Sequence, residues 1–267
     1  MTGMHVTANG VPLWVEQRGA GPDLVLLCGL GDTHQAWAHQ LQSLAGRFRL
    51  TAIDNRGVGR SGLPDGEFTV ADMAADAAGV LDALGIARAH VAGFSMGGAI
   101  AQELAIARPD LVASLVLVGT WCRTDAHQRR MFESWAWMAQ RADSDEAFVR
   151  SLFLWVYTRR AHLSGAVDTW LQQALAEEHP QSTDAFVRTV EAIKAHDAAH
   201  RLGQVSVPAL IVAGDQDLIC PPRVQQELAE HLPHCDVRLL AEEAHQPFQE
   251  APDLFDRVVL EFLDELS

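Results

Sequence analysis

The stretch "AHVAGFSMGGAIAQELA", residues 89–105, decides the fold of this chain. It begins as a short apolar run typical of a buried strand and continues as a helical pattern. The motif GFSMG at 93–97 lies between the two, which is the strand-to-helix setting that a GxSxG nucleophile requires. A sharp turn there projects the Ser95 hydroxyl out above the sheet. It also places the Met96 N–H and the helix N-terminus beside the group that Ser95 attacks.

Similar apolar runs recur on both sides of this stretch and predict a largely parallel sheet. Continuous rather than alternating runs indicate strands that are buried on both faces. The runs are DLVLLCG at 23–29, RLTAID at 49–54, AHVAGFS at 89–95, ASLVLVGT at 113–120, PALIVAGD at 208–215 and CDVRLLA at 235–241. Helical patterns between them cover about 33–45, 69–84, 96–107, 222–232 and 252–266. Before them, residues 5–19 predict a hairpin around the turn dipeptide Asn9-Gly10. This alternation predicts an α/β fold with right-handed crossovers.

The alternation stops between residues 121 and 201, where the sequence has helical periodicity and no convincing strand. We therefore predict an α/β core from residues 1–120 and 202–267, with a helical cap, or lid, inserted at 121–201. Five of the seven tryptophans lie in the insertion. They either pack the cap onto the core or line an apolar pocket beneath it. The predicted pocket residues are Trp121, Trp135, Met138 and Trp155.

A serine hydroxyl is a weak nucleophile and needs a base that is held by an acid. In this kind of fold the chain order is Ser, then Asp or Glu, then His. Asp215 and Asp217 follow the run at 208–215, and His245 follows the last predicted strand. All three positions fall where the carboxyl ends of parallel strands meet, which is where α/β sites collect.

Composition narrows the classes of function. The chain has 267 residues, 48% of them hydrophobic, and a net charge of −15, which disfavours nucleic acid and anionic membranes as partners. The N-terminal residues lack a signal-peptide pattern, and no apolar stretch is long enough for a spanning helix. Four widely spaced cysteines favour free thiols in a reducing cytoplasm over zinc or disulfides. We expect a cytoplasmic protein without a metal or organic cofactor, whose oligomeric state is open.

With these motifs the chain resembles the α/β-hydrolase family. It is similar to the branch that holds small esterases, 3-oxoadipate enol-lactonases, perhydrolases and carbon–carbon bond hydrolases. The matching segments are LLCGLGDTHQAW at 26–37, AIDNRGVGRSG at 52–62, GFSMGG at 93–98, GDQDLICPP at 214–222 and HQPFQEAP at 245–252. The resemblance implies a cap in the insertion and assigns the triad acid to Asp217 rather than Asp215.

The GxG in the first of these segments raises a phosphate-binding alternative. A dinucleotide loop requires a third glycine that GLGDTH lacks, so nucleotide binding is disfavoured. The resemblance instead implies an oxyanion hole, built from the backbone N–H groups of Leu30 and Met96. Cys28 stands where many relatives carry a histidine outside the triad, so activity is expected to survive this difference. His34 in the same loop is either a surface or capping residue, or a residue whose side chain reaches the pocket.

The resemblance implies a serine hydrolase for a small to medium neutral ester or lactone. Perhydrolysis uses the same residues with peroxide in place of water. A hydrolase of ring-fission diketones would need cationic pocket residues, for which Arg123, Arg159 and Arg160 are candidates. A ligand sensor on the hydrolase fold is a further alternative, distinguished by slow turnover.

Overall fold

A computed structural model describes residues 2–266 and contains one eight-stranded sheet. The strands have the order β1-β2-β4-β3-β5-β6-β7-β8. Strand β2 runs antiparallel to β1 and β4, and every other neighbouring pair is parallel. The bounds are β1 Thr2–Ala8, β2 Val11–Arg18, β3 Asp23–Leu27, β4 Arg49–Ile53, β5 Ala89–Phe94, β6 Val112–Val118, β7 Ala209–Gly214 and β8 Cys235–Leu240.

Eleven α-helices accompany this sheet in the described part of the chain. They are α1 Ala38–Ser43, α2 Val70–Ala83, α3 Met96–Ala107, α4 Ala126–Ala139, α5 Asp145–Val156, α6 Arg159–Ser164, α7 Ala166–Leu175, α8 Thr183–Lys194, α9 Pro222–His231, α10 Pro247–Glu250 and α11 Pro252–Asp264. Short 3-10 helices cover His34–Trp37 and Ala199–Gln204. Within residues 2–266, no helix combines the length and apolarity needed to cross a membrane. The predicted α/β fold, with a mostly parallel sheet flanked by helices, is confirmed.

Both faces of the sheet are covered, which explains the continuous apolar runs. In β3, Val25 and Leu27 belong to one buried cluster and Leu24 and Leu26 to the other, because successive side chains point to opposite faces. Helices α2, α3 and α9 supply the first cluster, and α1 and α11 supply the second. The expectation of burial on both faces is wrong for β8. This edge strand has four consecutive exposed residues, since it has only one neighbouring strand and little cover.

Helices α4–α8 lie between β6 and β7, in the segment predicted as a cap. The described residues of this segment form no extended strand, although an isolated bridge pairs Arg123 with Asp197 and joins its two ends. Sequence periodicity therefore located the helical segment well. Its division from the core as a separate cap stays a prediction.

A buried ion pair fixes α2 to the turn after β4. The Arg56 Nε and Nη2 groups each donate to one oxygen of Asp76 at 2.7 Å. Both side chains are about 95% buried, at relative exposures of 6% and 5%. A buried pair of this kind is costly to break, because the remaining partner keeps an uncompensated charge.

We expect Asp76→Ala to lower the free energy of unfolding by about 3–5 kcal/mol, because Arg56 loses its buried partner. The matched control is Asp82→Ala, which removes an acid from the same helix. The Asp82 carboxylate pairs with Arg108 but is 53% exposed, so its loss should have a much smaller effect. Urea unfolding of both variants measures the difference. Equal losses of unfolding free energy in the two variants would show that removing the partner of a buried arginine destabilises the protein no more than removing the partner of an exposed one.

Candidate active site

Ser95 has a strained backbone conformation between β5 and α3. Its φ is +52° and its ψ is −117°, a combination that residues with side chains rarely adopt. Hydrogen bonds to its backbone N–H and carbonyl groups hold it there. The Ser95 N–H donates to Val118 O at 2.8 Å, and Ser95 O accepts from Thr120 Oγ1 at 2.7 Å and from Gly98 N at 2.9 Å. The surrounding structure thus stabilises a conformation that costs on the order of 1–3 kcal/mol in isolation.

The flanking glycines of the motif are required by close backbone contacts. A Cβ on Gly97 would lie 2.2 Å from the carbonyl oxygen of Leu27 at the end of β3. A Cβ on Gly93 would lie 2.2 Å from the carbonyl oxygen of Gly97. The helix therefore begins directly against two strands, and this contact places Ser95 beside the loop that follows β3.

Ser95, His245 and Asp217 form one continuous hydrogen-bonded chain. His245 Nε2 lies 3.0 Å from Ser95 Oγ, and His245 Nδ1 lies 2.8 Å from Asp217 Oδ2. Relative exposures are 8% for Ser95, 3% for His245 and 3% for Asp217. Three residues that are far apart in sequence therefore meet in a buried site with the spacing of a nucleophile, a base and an acid.

The two candidate acids have different environments. Asp217 Oδ1 accepts from the backbone N–H groups of Ile219 and Cys220, each at 2.8 Å, which leaves Oδ2 for the histidine. Asp215 is exposed and accepts from the Glu242 N–H at 2.8 Å. Asp215 therefore stabilises the turn before His245, and Asp217 orients the imidazole ring.

The segment 156–160, where α5 ends and α6 begins, holds the loop that carries His245. The His245 backbone N–H donates to Val156 O at 3.1 Å. Next in the segment, Thr158 Oγ1 donates to Glu250 Oε2 at 2.6 Å, and Arg160 Nη2 contacts the buried Glu243 carboxylate at 2.8 Å. The predicted cap therefore contacts the main chain of the candidate base itself.

The two backbone groups predicted for the oxyanion hole have free hydrogen-bonding capacity. Within residues 2–266, neither the Leu30 N–H nor the Met96 N–H has an acceptor. Met96 is the first residue of α3, where helix geometry leaves the N–H without an intrahelical partner. Leu30 follows the Leu27 and Cys28 carbonyls that Gly97 contacts. Their joint role stays a prediction.

Asp32, which sequence reasoning did not single out, is an acid close to this site. Its backbone N–H donates to Gly29 O at 3.4 Å, so it closes the turn that contains Leu30. Burial raises the pKa of its carboxyl group to about 7, and the nearby charge of His245 opposes the rise. The available signal was a single acid inside the otherwise uncharged GLGDT turn.

The four predicted pocket residues have unequal exposure. Trp121 and Trp135 are buried in an apolar cluster, where both rings contact Phe132. Met138 packs against the same cluster, and Trp155 is 37% exposed with its ring 6.5 Å from that of Trp135. The three tryptophans and Met138 therefore belong to one connected group of apolar side chains within the insertion. Contact with a substrate stays a prediction for all four.

The turn at 54–61, after β4, is held by hydrogen bonds to neighbouring segments. Asp54 Oδ1 accepts from the His34 backbone N–H at 2.6 Å and lies 2.8 Å from His34 Nδ1. Ser61 Oγ donates to Asp54 O at 2.6 Å and accepts from the Trp14 N–H. His34 is thereby tied to Asp54 and joins the loop after β3 to the loop after β4.

One group of potential metal ligands occurs in the described residues. The ligand atoms of Cys122, Glu227 and His231 lie within 4.8 Å of one another. Glu227 and His231 are four residues apart on α9 and so share one face of the helix. The Glu227 carboxylate already contacts Arg123 Nη2 at 2.7 Å, and burial raises the pKa of the Cys122 thiol to about 12. The group contains no residue of the candidate triad.

Comparison with known proteins supports the family indicated by this geometry. A family model described as alpha/beta hydrolase fold matches residues 22–252. A protein named "Putative carbamate hydrolase RutD" from Azorhizobium caulinodans is 34% identical over 258 residues, covering 96% of both chains. The protein of the same name from Caulobacter vibrioides is 32% identical over 265 residues, covering 98% of this chain and 96% of its own.

Solved structures agree. An enol-lactonase from Burkholderia xenovorans is 27% identical, covers 97% of this chain and 99% of its own, and superposes with a TM-score of 0.89. A hydrolase from Pseudomonas aeruginosa is 26% identical, covers 98% of both chains, and has a TM-score of 0.88. By its fold and its family match, this chain belongs to the α/β-hydrolase family of hydrolytic enzymes.

Proposed function

We propose that the protein is a serine hydrolase that cleaves a small to medium neutral carboxylic ester or lactone through an acyl-enzyme. The observation that carries the proposal is the chain of contacts from Ser95 Oγ through the His245 ring to Asp217. A nucleophile, a base and an orienting acid in this geometry are what acyl transfer to water requires.

In the proposed reaction, His245 Nε2 takes the Ser95 proton while Oγ attacks the substrate carbonyl carbon. Asp217 keeps Nδ1 protonated and stabilises the imidazolium. The N–H groups of Leu30 and Met96 stabilise the oxyanion, and preorganised donors of this kind are worth roughly 3–4 kcal/mol each. The imidazolium then protonates the leaving oxygen. Water, deprotonated by His245, attacks the acyl carbon and releases the acid and free Ser95.

The charges near the site favour a neutral substrate. Of the arginines considered for anionic substrates, Arg123 contacts Glu227 and Arg160 contacts Glu243, while Arg159 is exposed. The acid Asp32 lies beside His245 instead. This balance supports an ester or lactone over an anionic ring-fission diketone. Perhydrolysis and ligand sensing use the same contacts and are separated from hydrolysis by kinetics.

Carbamate hydrolysis is a second candidate, favoured by the names of the relatives. Proteins named as carbamate hydrolases match this chain at 31–34% identity over more than 90% of its length. A carbamate carbonyl would pass through the same tetrahedral intermediate, and Ser95 would carry a carbamoyl group in place of an acyl group. A comparison of turnover between carbamates and esters of equal size distinguishes the two candidates.

We expect Ser95→Ala to fold normally and to lower turnover of p-nitrophenyl esters by several orders of magnitude, because the attacking oxygen is lost. Steady-state rates over acyl chains from acetate to dodecanoate test this and bound the size of the acyl group accepted. Circular dichroism provides the folding control. A folded variant that keeps its activity would show that another residue is the nucleophile.

We expect Asp217→Asn to lower kcat by about 10⁴-fold, because the amide no longer holds the imidazole in the required tautomer. Asp215→Asn is the matched control, since it makes the same change two residues away. Its kcat should change little, because the Asp215 carboxylate accepts from the Glu242 N–H and not from His245. Equal losses in the two variants would contradict the assignment of the acid.

A further inference from the structure

We infer that Asp32 is a specificity-determining residue, which favours acyl groups that carry a hydrogen-bond donor and disfavours anionic acyl groups. The inference deepens the proposed function and rests on it. It concerns the chemical class of the substrate rather than the reaction. The preferred donor is an N–H or O–H group near the scissile carbonyl, as in a carbamate, an amide or a hydroxy ester.

The position of Asp32 places its carboxyl group beside the reacting groups. Asp32 closes the turn that presents the Leu30 N–H. A Cβ added to Gly29 would lie 2.8 Å from Asp32 Oδ2 and 2.9 Å from the Phe94 ring, so these two side chains flank Gly29. The Phe94 ring centroid is 4.8 Å from that of His245. Phe94 therefore packs against both the Gly29–Asp32 turn and the His245 ring.

The hydrogen-bonding capacity of this carboxyl group is largely unused. Gln246 Nε2, at 3.4 Å from Oδ2, is the one side-chain donor to Asp32 in residues 2–266. Gln246 is itself oriented by the Tyr157 hydroxyl, which donates to its Oε1 at 2.7 Å. A carboxylate has about four acceptor positions. The contrast is Asp217, whose oxygens accept from Ile219, Cys220 and His245.

Three fully buried acids in the described residues have an arginine partner, and Asp32 has none. Asp76 pairs with Arg56, Glu103 with Arg201 and Glu243 with Arg160, whereas no Lys or Arg in the described residues pairs with Asp32. The Asp32 residue as a whole is partly buried. A substrate donor would supply the missing partner. An anionic acyl group would add a second negative charge in a poorly solvated site.

The ionisation of Asp32 gives this selectivity a pH dependence. The titratable groups facing it are His245 from the loop before α10, Cys28 from the end of β3 and Tyr157 from the end of α5. Burial raises the Asp32 pKa to about 7, so the carboxyl group gains its charge as the pH rises from 6 to 8.

The test uses three methyl esters of equal acyl length, followed by pH-stat titration at pH 8. Methyl butyrate is neutral, methyl 3-hydroxypropionate carries a donor, and monomethyl malonate is anionic. In Asp32→Asn, kcat/KM for the anionic ester relative to butyrate should rise on the order of tenfold. The ratio for the donor-bearing ester should fall several-fold. The matched control is Asp253→Asn, whose side chain is 99% exposed and whose ratios should equal those of wild type.

The pH profile provides a second readout. Between pH 6 and pH 8, discrimination against the anionic ester should increase in wild type and stay constant in Asp32→Asn. Stability should follow the same titration. A carboxyl group whose pKa is raised in the folded state makes the folded protein less stable as the pH rises towards that pKa. The Tm of Asp32→Asn should therefore exceed the Tm of wild type by more at pH 8 than at pH 5.

The outcomes separate this inference from the proposed function. If both proteins hydrolyse butyrate with unchanged ratios, the role of Asp32 is wrong and the serine hydrolase stands. If neither protein hydrolyses any ester, the proposed function is wrong. Asp32 is then judged by calorimetric titration of the three corresponding amides into Ser95→Ala and Ser95→Ala/Asp32→Asn. Equal affinities in the two proteins would overturn the inference.

Discussion

The start of α3 lies against the ends of β3 and β5, and the organisation of the site depends on that contact. The approach is possible because the residues on both sides of the turn are glycines, where a Cβ would meet a carbonyl oxygen at 2.2 Å. Ser95 then adopts a positive φ, and its carbonyl is held by Thr120 at the end of β6. The strain of the turn is balanced by hydrogen bonds to Val118 at the end of β6 and from Thr120 just after it, so the Ser95 backbone has a fixed conformation.

A second constraint on the site comes from the segment 156–160, where α5 ends and α6 begins. It receives the backbone N–H of His245 and pairs with acids on either side of it, Glu243 and Glu250. The base therefore depends on two parts of the molecule, since Asp217 orients its ring and the inserted helices hold its main chain. Movement of the inserted helices relative to the sheet would change the distance between His245 and Ser95.

The distribution of charge around the site also follows from packing. Most buried acids near it have an arginine or backbone partners, which keeps their negative charge compensated. Within residues 2–266, the Asp32 carboxylate has one long hydrogen bond, from Gln246, and no Lys or Arg partner. Its carboxyl group therefore has free acceptor positions. In the proposed hydrolase, these favour acyl groups with a hydrogen-bond donor over anionic acyl groups. The overall net charge of −15 could not have indicated this, because most of the acids are exposed.

Sequence alone determined the features that are local or periodic. The six continuous apolar runs predicted six strands of the sheet, and the GxSxG motif located the turn, because both signals come from neighbouring residues. The order of the runs also predicted that Asp217 and His245 lie beyond the ends of neighbouring strands, since parallel strands share one carboxyl edge. Only the tertiary structure decided that β8 is an exposed edge, that Asp215 stabilises a turn and that Asp32 lacks a cation. Those outcomes depend on which distant side chains come within a few ångströms of each other, and the spacing of residues along a chain does not contain that distance.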